Sequence, residues 1–100
     1  MTPAAVYHDE AEAELNEAAD RYESLQQRLG ERFLDAVDVA ISEICRSPEG
    51  FGFIRADIRC HKVRRFPYGI LYRVQPDCVF ILAVMHLARK SDYWEHRLDG

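Results

Sequence analysis

Cys78-Val79-Phe80-Ile81-Leu82-Ala83-Val84-Met85 is apolar at odd and even positions alike, and His86 follows it. A strand with this pattern has no face to give to water, so it is expected to be buried on both sides, at the centre of a sheet. Working upstream, Tyr68 to Val74 and Ile58 to Phe66 read as two further strands, the second with a basic outer face. Phe66-Pro67-Tyr68-Gly69 and Gln75-Pro76-Asp77 mark the bends between them. Bends this short join antiparallel neighbours, which makes a meander.

The first half of the chain has a different period. Ala4 to Tyr7 is short and apolar, a strand that fits the vacant edge of the Cys78–His86 strand. Asp9 and Glu12, in capping-box spacing, then open a helix. Leu15, Ala18, Ala19, Tyr22, Leu25 and Leu29 share one face of it, with Glu10, Glu14, Glu17 and Arg21 placed elsewhere. Gly30 is the expected left-handed stop. A second helix, about Glu31 to Arg46, aligns Phe33, Val37, Ala40, Ile41 and Ile44 and ends at Ser47-Pro48-Glu49-Gly50. Each helix has one apolar stripe to bury, so the pair is expected to fold as an antiparallel hairpin against the sheet. The reading is an α+β fold in one domain spanning residues 1–100, since 100 residues support a single core.

Composition narrows the function. No stretch approaches the roughly 20 apolar residues of a membrane span, and the chain begins without a basic leader, so a cytoplasmic protein is expected. Cys45, Cys60 and Cys78 are far apart and lack CxxC spacing, and His8, His61 and His96 are scattered. No metal site and no cofactor are expected from them. Ser24, Ser42 and Ser47 have no His and Asp pattern nearby, which leaves a hydrolase triad unsupported. Net charge divides sharply: −8 over residues 1–50 and +4 over residues 51–100. Arg55, Arg59, Lys62, Arg64 and Arg65 face only Asp57 within eleven residues, a stripe suited to an anionic partner or simply to a solvated strand. The tail from His86 to Arg97 gathers ionisable and aromatic side chains, with Lys90 its only lysine. In it Tyr93 and Trp94 fit either a lid on the core or a base-stacking platform. His86 reads as a hydrogen-bonded structural histidine or a base, and Arg73 as a partner for an acid of the helical hairpin.

The phrase Val63-Arg64-Arg65-Phe66-Pro67-Tyr68-Gly69-Ile70-Leu71-Tyr72-Arg73-Val74, followed by Ile81-Leu82-Ala83-Val84-Met85-His86 and Arg89, resembles the ParE/RelE toxins of bacterial type II toxin–antitoxin (plasmid stabilisation) systems. The likeness covers nearly the whole chain, including the His8-Asp9-Glu10-Ala11 start of the first helix. It implies a RelE/ParE-like fold: an N-terminal strand, a helical hairpin, a mainly antiparallel sheet and a short C-terminal helical turn. It also implies growth inhibition relieved by a cognate antitoxin that forms a hetero-oligomer with the toxin, for which Arg59, Lys62, Arg64 and Arg65 are the expected contacts. RelE-like members cut messenger RNA on the ribosome; on that branch His86, Arg89 and Tyr93 would be catalytic, with Arg65 and Arg73 touching phosphate. ParE-like members inhibit DNA gyrase by binding, without chemistry of their own. The tail here lacks the dense Lys and Arg set of the nucleases, which favours the ParE-like branch. An inert interaction module is the third reading, disfavoured by the basic stripe and the family phrase.

Overall fold

The computed structural model describes residues 3–89 and 92–99. The chain runs β1 (Ala4–Tyr7), α1 (Asp9–Leu25), α2 (Leu29–Arg46), β2 (Phe53–Arg55), β3 (Ile58–Lys62), β4 (Tyr68–Val74), β5 (Cys78–His86) and a 3-10 helix, Glu95–Asp99. The five strands form one sheet in the order β1-β5-β4-β3-β2. β1 pairs with β5 in parallel, Ala4 opposite Cys78, while all other pairs are antiparallel. The expected placement of β1 beside β5 holds, and β5 has a strand on each side. The middle position, however, belongs to β4, whose first five residues are all buried.

Two elements differ from the sequence reading. β3 stops at Lys62 rather than Phe66, because Arg65 takes a left-handed backbone (φ 71°) that no strand accommodates. β2 was not expected at all; its three residues are exposed and carry no alternation.

The helical hairpin covers one face of the sheet. Tyr22 and Phe33 of the helices pack against Phe66 and Tyr68 with ring centroids 5.0–6.2 Å apart, and Val37, Ala40 and Ile44 continue that core over Ile70, Tyr72, Val79 and Ile81. Gly30 is not the stop of α1. That helix ends at Leu25, the left-handed residue is Arg28 (φ 70°), and Gly30 lies in the first turn of α2. Its lack of a side chain serves close packing instead: a Cβ there would fall 2.5 Å from the Ala19 carbonyl oxygen. Glu23 caps the second helix from the first, accepting from Arg28 N at 2.9 Å and Gly30 N at 3.1 Å. The N-cap of α1 is likewise His8, whose Nδ1 accepts from Glu10 N at 3.0 Å, rather than Asp9.

The opposite face carries a smaller core of Ile58, Leu71, Leu82, Ala83 and Met85, covered by Trp94. Leu82 and Ala83 both face it because β5 bulges there: Leu71 pairs with Ala83 and Tyr72 with Ile81, which leaves Leu82 as an extra residue. No helix among the described residues is long and apolar enough to cross a membrane.

Candidate functional site

The bulge in β5 and the end of β1 turn two backbone groups, Leu82 O and Val84 N, toward the start of α1 and the C-terminal segment. Glu14 and Arg97 take up both. Glu14 Oε1 accepts from Val84 N at 3.1 Å and from Arg97 Nη1 at 2.8 Å, and the same Nη1 donates to Leu82 O at 3.0 Å. Glu14 Oε2 accepts from Arg97 Nη2 at 3.2 Å and from the Tyr93 hydroxyl at 2.6 Å. Arg97 is 5% exposed and the Glu14 side chain 13%, so this is a buried, hydrogen-bonded ion pair. The expectation that Glu14 lies away from the core face is therefore overturned. It stands three residues after Ala11 and four before Ala18, both fully buried, and so it shares their side of the helix.

Of the three residues that a nuclease would need, Arg89 and Tyr93 meet at this network, and His86 lines the cleft beside it. Arg89 stacks its guanidinium 3.8 Å above the Tyr93 ring and lies 3.8 Å from Glu14 Oε2. Burial, followed by the hydrogen bond to Glu14, pushes the Tyr93 phenol well above its usual range. His86, at the end of β5, presents its ring edge to Tyr68 and accepts from Ala88 N through Nδ1. The cleft that His86 and Arg89 line with Glu14, Glu17 and Arg21 measures about 70 Å³, against roughly 300 Å³ for the smallest ordinary ligand pockets. Lys90 lies outside the described residues. Trp94 is a lid on the second core, 1% exposed, not a stacking platform.

The expected phosphate contacts sit apart from this cluster. Arg73 Nε approaches Asp57 Oδ2 at 2.9 Å, in the β2–β3 turn and not on the helical hairpin. Its register opposite Ile58 puts it on the face away from the helices. The basic stripe also divides. Arg59 donates to the carbonyls of Glu49 and Phe51 and covers the Phe53 ring at 3.8 Å, which clamps the loop after α2. Lys62 alternates with Ile58 and Cys60 and so shares their face of the sheet, away from the hairpin. Arg64 and Arg65 are exposed and border a groove of about 540 Å³ between α2 and the β3–β4 turn, floored by Leu29, Ala36, Val39 and Phe66.

At the edge of that groove Glu43 accepts from His61 Nε2 at 3.0 Å and from Arg64 at 3.3 Å, while His61 stacks on Phe51. The hydrogen bond from His61, then the Arg64 charge, holds the Glu43 carboxyl below its ordinary value of 4.5. Glu10 is lowered in the same way, first by its hydrogen bond from His96. A carboxyl lowered on folding stabilises the folded state above its unfolded pKa, and that contribution is lost as pH falls through the folded value. Urea midpoints are therefore expected to drop below about pH 4.5, and less steeply in Glu43→Gln and Glu10→Gln. A fall as steep in both variants as in the unmodified chain would place the acid sensitivity elsewhere. Burial raises the Cys45 and Cys60 thiols, so neither is a ready nucleophile, and no three metal-ligating side chains gather among the described residues.

The profile of the family described as ParE toxin of type II toxin-antitoxin system, parDE, matches residues 5–91. Among solved structures, a chain titled as the chromosomal ParDE TA system from P. aeruginosa is similar, with a TM-score of 0.64 and 20% identity. The match covers 86% of this chain and 97% of that one. No curated protein sequence matches.

Proposed function

The chain belongs to the ParE toxin family of type II toxin–antitoxin systems, and from that premise we propose that it arrests growth by binding DNA gyrase in the cytoplasm, and that a cognate antitoxin neutralises it. The observation that supports binding over RNA cleavage is the state of Tyr93. Its hydroxyl donates to Glu14 at 2.6 Å and its phenol is held protonated, which makes it a poor base for activating a 2′-hydroxyl. His86 Nδ1 is already engaged by Ala88 N. The test is to add the purified chain to a gyrase supercoiling reaction and, in parallel, to translating ribosomes, reading supercoils and new transcript ends. Inhibited supercoiling with intact transcripts is expected. Cleaved transcripts with normal supercoiling would reverse the reading in favour of the nuclease.

For the antitoxin, Arg65 and Arg64, the latter exposed although it reaches Glu43, are the most available of the four basic residues expected at the contact: Arg59 is spent on backbone carbonyls, and Lys62 shares the other face. An acidic segment entering the groove over Ala36 and Val39 would meet both arginines. Arg64→Glu and Arg65→Glu together are expected to slow association about tenfold and to flatten its salt dependence. An unchanged rate would move the interface away from the groove.

A further inference from the structure

We propose that Glu14 is a positioning residue for toxicity: through Arg97 and Tyr93 its buried carboxylate holds the segment 92–99 on the sheet in the arrangement that presents Arg89 and Tyr93 to the target. The proposal rests on the binding activity proposed above. One carboxylate receives donors from Val84 N, from both terminal nitrogens of Arg97 and from the Tyr93 hydroxyl, so it joins α1, β5 and the C-terminal segment at a single point. Arg97 also donates to Leu82 O and lies 3.3 Å from half-exposed Glu10, whereas Arg55 to Glu95 and His96 to Glu10 are exposed pairs that contribute little. Arg89 has more than half of its side chain in solvent, yet its guanidinium rests on the Tyr93 ring. Where Glu14 sets Tyr93, it therefore sets Arg89 as well. Removing the carboxylate's charge leaves buried Arg97 with only half-exposed Glu10, whose Oε2 lies 3.3 Å from its Nε, as counter-ion, a state that is eased when the segment lifts into water.

The chain has one tryptophan, Trp94, which belongs to this segment and packs on the second core, so its fluorescence reports whether the segment is docked. Acrylamide quenching, far-UV circular dichroism and gyrase inhibition are to be compared in Glu14→Gln, Arg97→Lys, Glu12→Gln on the exposed side of α1, and Ile44→Val in the main core. Glu14→Gln is expected to raise quenching severalfold and to weaken inhibition at least about tenfold, with the helical signal kept. Arg97→Lys, which preserves the charge but not the fork, is expected to fall between it and the unmodified chain. Ile44→Val is expected to lower the melting temperature without moving quenching or inhibition, which separates positioning from general stability. Should Glu14→Gln fail to fold, Arg97→Lys carries the comparison. Unchanged quenching in both variants, or exposed Trp94 with inhibition intact, would overturn the proposal. If the unmodified chain leaves supercoiling untouched, the target assignment is what fails, and growth arrest on induction then serves as the functional readout for the same variants.

Discussion

Trp94→Ala is expected to lower the unfolding free energy by about 3–5 kcal/mol, the largest loss of any single side chain on the face away from the helices. That face is an apolar patch of β3, β4 and β5, and the helical hairpin lies on the other side of the sheet. Ile58, Leu71, Leu82, Ala83 and Met85 would reopen to water once the indole is gone, since Tyr93 and Leu98 cover it only in part. The indole Nε1 has no hydrogen-bond partner among the described residues, so its removal costs burial and packing but no hydrogen bond. In a domain of this size, each kcal/mol moves the melting temperature by roughly 4–8 °C. A calorimetric shift smaller than about 4 °C would mean that the second core closes over the loss, and that Trp94 is an ornament to it.

The fold was legible in the sequence where burial is periodic and local. Both helices carry their own period, β4 and β5 show as apolar runs of strand length between turn signals, and β1 follows from the need of β5 for a second neighbour. β2 was not legible, because Phe53-Ile54-Arg55 has no inner face. It exists through pairing with β3 and through Arg59 lying over Phe53. The end of β3 was hidden for the opposite reason: Val63 and Phe66 extend a plausible strand, and only the backbone of Arg65 breaks it. Gly30 shows how one residue type serves two needs. Beside an apparent helix end it suggests a left-handed turn, whereas here it lets two helices approach within a distance that any side chain would forbid.

The site was half legible, by the same division. His86, Arg89 and Tyr93 lie within eight positions of one another, and the tail marks itself by its composition. Tyr93 and Arg89 meet Glu14, whose hydrogen-bond partners stand 70 to 83 residues away, and a carboxylate on a helix with many acids gives little sign of facing inward. The one available signal was its spacing from Ala11 and Ala18. Arg97 had none beyond its nearness to Trp94. The basic residues were legible as a cluster in sequence but not as a surface, because strand alternation and the β3–β4 turn send Arg59, Lys62 and Arg64 in different directions.

Arg89→Ala is expected to weaken gyrase binding and supercoiling inhibition by the same factor, about 10- to 100-fold, as befits a central cationic anchor. Folding should barely change: the side chain is mostly exposed, its approach to Glu14 is 3.8 Å, and surface contacts of this kind contribute about 1 kcal/mol or less. Tyr93→Phe removes the 2.6 Å hydrogen bond to Glu14 but keeps the ring on which Arg89 rests, so its effect on inhibition should be smaller than that of Arg89→Ala. A catalyst would behave differently. There the arginine would meet charge that develops only in the transition state, and its loss would leave target binding intact while activity fell by roughly 100-fold or more. Plotting inhibition against affinity for His86→Ala, Arg89→Ala and Tyr93→Phe distinguishes the two. Points on one line of unit slope belong to a toxin that acts by occupying its target, and a variant with full affinity and no activity would require a chemical step that the protonated, hydrogen-bonded Tyr93 does not supply.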